Sequence, residues 1–292
     1  FRFELDDCSK AHGGFLTDEE IENIKAGYNE YEREARVLGK YTIVGGSPYF
    51  SPKLLASWMG RCEPSKRHSI SLVGGIRAQL AESDIGELTI SRPPIAGRRY
   101  IMGVDPASGI GKDFSVASVW DRDDLAQVAE WSSNKVDADM FAANAVLPLG
   151  IYYNHALCVV ETNGEHGGTV LSQLRGRYRS LYVRQDWDKI QRRIRHEYGF
   201  RTTQASRGRV LDALTTSLRE GLWSPGEPLV REMMNVVVKE DGKVEHMEGT
   251  NDDRVFAAGI ALAVNAENPR GKKVDMSNFQ PRYAGENLWV AA

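Results

Sequence analysis

The sequence predicts an α/β protein: a mixed central sheet flanked by helices, preceded by a small mainly helical region. Three observations carry that expectation. Two apolar runs, Tyr100–Val104 and Phe114–Trp120, flank a turn containing Pro106, Gly109 and Gly111, and read as paired strands. Beyond them helical and strand patterns alternate, as expected where helices pack on a sheet. The first sixty residues instead carry helical spacing and irregular stretches.

Composition narrows the function classes. At 292 residues the chain can hold one large or two modest domains. Hydrophobic residues at 41% and charged residues at 26% are ordinary for a soluble globular protein. A net charge of −3 gives no global nucleic-acid signature, so any basic surface must be local. Cys8, Cys62 and Cys158 are widely spaced and form no CxxC pair, which argues against a disulfide framework or a zinc site. No apolar run is long enough to span a membrane, and no signal peptide is visible. The first residue is Phe1 rather than Met, so the chain reads as a piece of a longer protein.

The elements follow in order. Thr17 caps a helix whose first turn holds Asp18, Glu19 and Glu20; Ile21, Ile24, Tyr28, Tyr31 and Ala35 then recur at helical spacing up to Gly39. Gly45 to Pro48 is a turn, and a helix is expected around Pro52 to Met59. Arg92-Pro93-Pro94 reads as a linker. It divides the chain into a helical and irregular region over 1–92, a main domain over 93–267 and a mobile tail over 268–292, which lacks periodicity. Ala126–Ser132 is a third strand. Val136–Tyr153 is a helix capped by Asp137, with Pro148 and Gly150 distorting its end. A strand over Ala156–Val160 ends at Glu161. A helix over His166–Arg177, a short strand Leu181–Val183 and a helix Ser206–Glu220 follow. Val236–Lys239 and Lys243–Met247 form a hairpin around Glu240-Asp241-Gly242, and Asp252–Ala266 is a final helix. Three antiparallel strands, then alternating helix and strand, then a closing helix is the order of a ribonuclease-H-like fold.

Three acidic positions lie at element ends: Asp105, Glu161, and the pair Asp252 and Asp253. Each has an ordinary reading too. Asp105 could cap its turn, Glu161 could be a solvated turn residue, and Asp252 could be a helix N-cap. Asp113 reads as a surface residue. In an α/β sheet, however, ligands gather at the carboxyl ends of strands. First and fourth strands are neighbours in this fold, so Asp105 and Glu161 are expected to face each other, with the last helix bringing its acids to them. A set made only of oxygen donors favours Mg²⁺ or Mn²⁺ over Zn²⁺. Two such ions about 3.5–4 Å apart are the usual arrangement for phosphodiester hydrolysis.

Local charge is the second feature. Residues 175 to 209 hold eleven Lys or Arg against three acids, interleaved with Tyr178, Tyr182, Trp187 and Tyr198. Arg184, Arg192, Arg193, Arg195, Arg201 and Arg207 are the expected phosphate contacts, a solvated basic face being the alternative. The hairpin just before Asp252 has an acidic tip and reads either as a gate over the acidic site or as a sheet edge.

These motifs resemble the nuclease domain of tailed-phage terminase large subunits. The resemblance rests on Gly103-Val104-Asp105-Pro106-Ala107 with Asp113-Phe114-Ser115, on Val159-Val160-Glu161-Thr162-Asn163-Gly164, on Tyr198-Gly199-Phe200-Arg201-Thr202-Thr203, and on Gly249 to Ala257 with its Asn251-Asp252-Asp253. It spans Tyr100 to about Asn265, and Tyr31 to Tyr41 is similar to the segment joining a terminase ATPase domain to its nuclease. It implies an endonuclease cutting concatemeric double-stranded viral DNA during packaging. Asp105, Glu161 and Asp253 would be catalytic, and those three with Asp252 would hold about two Mg²⁺ or Mn²⁺ ions. The implied partners are DNA, an N-terminal ATPase domain of the same protein, the small terminase subunit and the portal protein. The implied location is the host cell cytoplasm, with no membrane. The chain departs from the pattern in two ways. Gly109-Ile110-Gly111-Lys112-Asp113 is not a Walker A loop, and Asn251 stands where His is common. An actin-like or sugar-kinase-like ATP-binding protein and a Holliday-junction-resolvase-like nuclease share the fold and are the competing expectations.

Overall fold

The computed structural model describes residues 9–26, 46–188, 191–220, 225–239 and 241–267. The expected tail over 268–292, the segment Tyr31–Tyr41 and Glu240 lie outside the described residues. A seven-stranded sheet organises the rest. Its strands are β2 (Lys66–Val73), β3 (Arg77–Glu82), β4 (Leu88–Ile90), β5 (Tyr100–Asp105), β6 (Ser115–Asp121), β7 (Gln127–Ser133) and β8 (Leu157–Val160), in spatial order β3-β2-β4-β7-β6-β5-β8. Every neighbouring pair is antiparallel except β5 and β8.

The sheet overturns the boundary expected at residue 92. β4 pairs with β7 across it, Leu88 opposite Trp131, so residues 66–90, expected to be irregular, form strands of the main sheet. Their local pattern is blurred because β2 and β3 bury only alternate residues, and those only in part. Of the early helices, α1 (Asp18–Ala26) and α2 (Pro52–Met59) are present, and Glu20 closes a capping box on Thr17. A two-residue strand β1 (Ser47–Pro48) pairs with the late hairpin, formed by β11 (Val236–Val238) and β12 (Val244–His246).

Helices cover both faces. On one, α3 (Ala138–Phe141) passes through a π-helical turn (Ala142–Val146) into α4 (Leu147–Tyr152), beside α5 (Gly164–Leu174). The distortion expected from Pro148 falls just before it. Pro148 has no N–H and crowds the carbonyl four residues back, and the widened turn relieves that. On the other face lie α2, α6 (Gln204–Glu220), α7 (Glu227–Met233) and α8 (Asp253–Glu267). α8 is buried continuously from Val255 to Val264 because sheet and helices enclose it.

One glycine sets how close α8 comes. A Cβ on Gly103 in β5 would stand 1.8 Å from the Ala257 carbonyl oxygen. Gly103→Ala is therefore expected to cost about 3 kcal/mol through overpacking, read by urea unfolding. Unchanged stability would mean that α8 rides higher on β5 than it does here.

The short strand expected at Leu181–Val183 is reduced to a single bridge, Leu181 to Cys158. A two-stranded ribbon replaces it, β9 (Val183–Asp188) against β10 (Arg193–Tyr198). The ribbon is joined to the end of β8, since the Phe200 N–H donates to the Val160 carbonyl at 2.7 Å and the Thr162 N–H to the Phe200 carbonyl at 2.8 Å.

Candidate active site

Parallel pairing of β5 and β8 brings their carboxyl ends out side by side. Val104 is in register with Val160, and the Glu161 N–H donates to the Val104 carbonyl at 2.8 Å. Asp105 and Glu161 are the next step on each strand. Strand side chains alternate between faces. Met102, Val104 and Val160 enter the core beside α5, while Ile101 and Val159 enter the core beside α8. That alternation turns Asp105 and Glu161 toward α8, whose first residue is Asp253.

The two strand-end carboxyls meet. The Glu161 carboxyl is close enough to act directly on Asp105. Burial above all, then the neighbouring Glu161 carboxyl, hold the Asp105 carboxyl well above the ordinary carboxylate range; Asp253 and Asp252 add to the effect. Asp253 is pushed up to about 6, chiefly by burial. Two donors oppose that rise: the Phe114 N–H at 2.8 Å and the Asn251 amide at 3.1 Å, both on Asp253 Oδ2. The charge of exposed Asp113 also reaches Asp253.

Asp252 is differently engaged. It pairs with Arg207 Nη2 at 2.8 Å and lies 3.3 Å from His246 Nδ1 at the end of β12. Nor does its side chain cap α8, as the sequence led us to expect. The first-turn amides of Arg254 and Val255 donate to Glu232 Oε1 on α7, at 2.6 and 3.3 Å. A carboxylate from a distant helix does the capping because Arg207 has already claimed the local one.

The donor set fits a hard divalent cation. It is oxygen only, and among the described residues no basic side chain is paired with Asp105, Glu161 or Asp253. Among the described residues, no three Asp, Glu, His or Cys side chains already stand in ligating geometry. Asp253 Oδ2 is held by the Phe114 N–H and the Asn251 amide.

The arginines divide. Arg184 is committed inside the protein. It donates to Asp186 at 2.8 Å, to Glu197 at 2.5 Å and to the Gly199 carbonyl at 3.0 Å, and so ties the ribbon to its own base. Arg207 is held by Asp252 and lies over the Phe256 ring, 4.1 Å from its centroid. Neither is placed as a phosphate contact. Ribbon register explains the loss of basic surface, because it sets Arg184 opposite Glu197 and Arg195 opposite Asp186. Arg192, Arg193, Arg195 and Arg201 are exposed, Arg195 lying 3.5 Å from Glu197. The late hairpin does lie beside the acids, through His246, but its tip is less negative than read, since Lys243 pairs with Asp241 at 2.8 Å.

Sequence reasoning missed a buried cluster behind the site. Arg254 Nε meets Glu130 Oε1 at 2.7 Å, Nη1 meets Glu232 Oε2 at 3.0 Å and Nη2 meets Ser132 Oγ at 2.9 Å. Glu232 is pushed up to about 7 by burial, with Arg254 opposing the rise. The only local signal was an Arg directly after two aspartates; Glu130 and Glu232 are brought to it by the fold.

No protein-family model matches the chain, and no curated protein matches it in sequence. Solved structures do match. The large terminase nuclease of thermophilic phage G20c superposes with a TM-score of 0.50 at 14% identity, over 72% of this chain and 97% of that one. The same nuclease with bound magnesium gives 0.50 and with bound cobalt 0.51, each at 14% identity over 72% of this chain and 96% of that one. At that identity the likeness is one of fold. The chain has the ribonuclease-H-like architecture of a large terminase nuclease domain, as its order of elements led us to expect. No helix among the described residues is long and apolar enough to cross a membrane.

Proposed function

We propose that this chain is a divalent-metal-dependent endonuclease that cuts double-stranded phage DNA during genome packaging, the nuclease part of a large terminase. One observation supports the reading: Asp105 and Glu161 stand at the carboxyl ends of the parallel pair β5 and β8, and the charge of Asp253, the first residue of α8, reaches Asp105. The G20c nuclease, which shares the fold, has been seen with magnesium and with cobalt bound.

Asp105, Glu161 and Asp253 would hold two Mg²⁺ or Mn²⁺ ions, with Asp252 kept beside them by Arg207. When bound, such a pair lowers the pKa of the attacking water and stabilises the leaving oxyanion. The chain's residues supply the rest. Asp105, whose carboxyl burial holds above the ordinary range, would give up its proton on ligating, since a ligating carboxylate must be ionised. The Phe114 N–H and the Asn251 amide orient Asp253. Exposed Arg192, Arg193, Arg195 and Arg201 would meet the phosphate backbone, which positions DNA without reading its sequence. The ATPase domain, small terminase subunit and portal protein remain the partners this role calls for, and the host cytoplasm the place.

Supercoiled plasmid tests the reading. At low salt, with Mn²⁺ or Mg²⁺, the chain is expected to give nicked and then linear product with little sequence preference, and none in chelator. Plasmid that stays intact in both metals, over a wide range of protein concentration, overturns it. Measurable DNA-stimulated ATP hydrolysis without cleavage would favour the actin-like alternative.

A further inference from the structure

Building on the nuclease reading, we propose that Arg254, Glu232 and Glu130 form a positioning device that sets the affinity of the Asp105–Glu161–Asp253 centre for divalent cations without touching the centre. Arg254 directly follows Asp253, so whatever fixes its guanidinium fixes the backbone at the start of α8. Three separate elements do so: Glu130 and Ser132 on β7, Glu232 on α7, and the Phe114 ring just before β6, 5.2 Å from the guanidinium carbon. Phe114 works on both sides of this contact. Its ring lies under Arg254 while its N–H holds the Asp253 carboxylate at 2.8 Å.

Glu232 adds a second constraint. The same carboxylate binds the guanidinium and receives two first-turn amides of α8, where a negative charge also suits the helix dipole. Glu130 is braced in turn. Gln127 donates to its Oε2 at 3.0 Å and accepts from the Gly226 N–H, at the start of α7, at 2.7 Å. The cluster therefore ties β7, α7 and the first turn of α8 into one unit.

Stability alone is a poor reason for such a cluster. The side chains of Arg254, Glu130 and Glu232 are 17%, 6% and 7% exposed, and buried ion clusters are often matched or bettered by apolar packing. Apolar side chains, however, cannot fix the orientation of a helix terminus through directed hydrogen bonds. Groups that orient a metal ligand without touching the metal commonly change affinity about 10- to 100-fold when removed.

The test measures Mn²⁺ binding by calorimetry for wild type, Asp253→Asn, Glu232→Gln, Arg254→Met and Arg254→Lys, with the melting temperature in chelator taken alongside. Glu232→Gln and Arg254→Met are expected to weaken Mn²⁺ binding about 10- to 100-fold, while folded protein keeps its circular dichroism. Arg254→Lys restores only part, since it keeps the charge and loses the fork. In plasmid cleavage, kcat at limiting Mn²⁺ falls and recovers as Mn²⁺ is raised, with KM for DNA unchanged. A merely structural cluster would lower the melting temperature and leave the Mn²⁺ affinity of folded protein untouched, and that result overturns the proposal. Should Arg254→Met not fold, Glu232→Gln decides, because it preserves volume. Wild type that binds Mn²⁺, Asp253→Asn that does not, and unaffected cluster variants would sink this inference alone. Wild type that binds no Mn²⁺ would sink the nuclease reading as well.

Discussion

Asp105→Asn, Glu161→Gln and Asp253→Asn are each expected to give a folded protein that no longer cuts DNA, slower than wild type by on the order of a thousandfold or more. The magnitude follows from the role. A missing ligand charge removes transition-state stabilisation of about 4 kcal/mol, and about 1.4 kcal/mol is tenfold in rate. These amides keep the shape and most of the hydrogen bonding of the acids they replace. Asp253→Asn can still accept from the Phe114 N–H. Loss of cleavage would therefore report loss of charge rather than collapse of the site. Asp252→Asn supplies the contrast. Its carboxylate is spent on Arg207 and His246, so its removal is expected to cost far less. Plasmid cleavage and melting temperature, measured together, check all four. Wild-type cleavage by Asp253→Asn with a dead Asp252→Asn would exchange the roles of the two aspartates.

The acids stand out in the sequence as candidates because each lies at the end of an element with a strong local pattern. Val159-Val160-Glu161 and Gly103-Val104-Asp105 are short apolar runs closed by an acid, and Asp252-Asp253 opens a helix of small apolar residues. Local pattern also identified β5, β6 and β7 to within a residue or so. What was not legible depends on contacts between distant segments. Pro93 and Pro94 look like a linker, yet the sheet continues across them because β4 finds β7 some forty residues later. Eleven basic residues look like a DNA face, yet cross-strand register sets Arg184 against Glu197, and tertiary packing sets Arg207 against Asp252. Glu232 carries no local mark at all. It becomes the cap of α8 because α7 is packed there, not because of anything near it in the chain.

In chelator, the protein is expected to lose stability as pH rises from about 5 to 8, and Mn²⁺ is expected to restore most of it at the alkaline end. Burial holds Asp253 up to about 6 and Glu232 up to about 7, and keeps Asp105 well above the ordinary carboxylate range. In the unfolded chain all three return to ordinary values, so over this range the native state binds more protons than the unfolded one. Stability then falls with rising pH. For Asp253 and Glu232 the stabilisation is complete below about pH 4 and is lost as pH passes their native values, at about 3 kcal/mol for each. Carboxylates shifted the other way are all exposed, Glu82, Asp241 and Glu245 in pairs with lysines and Glu20 on Thr17, and offset little of this. With about 1 kcal/mol moving the melting temperature by about 2–4 °C in a domain of this size, the fall should exceed ten degrees or so. Bound Mn²⁺ would offset the charge of the ionised Asp105 and Asp253 carboxylates, so its stabilisation should be large at pH 8 and slight at pH 5. The remaining slope belongs to Glu232, which the ion does not touch, and Glu232→Gln should remove it. Scanning calorimetry across this range, with chelator and with Mn²⁺, measures each part. A melting temperature that is flat or rises with pH in chelator would mean that these carboxyls are not held together in the folded protein.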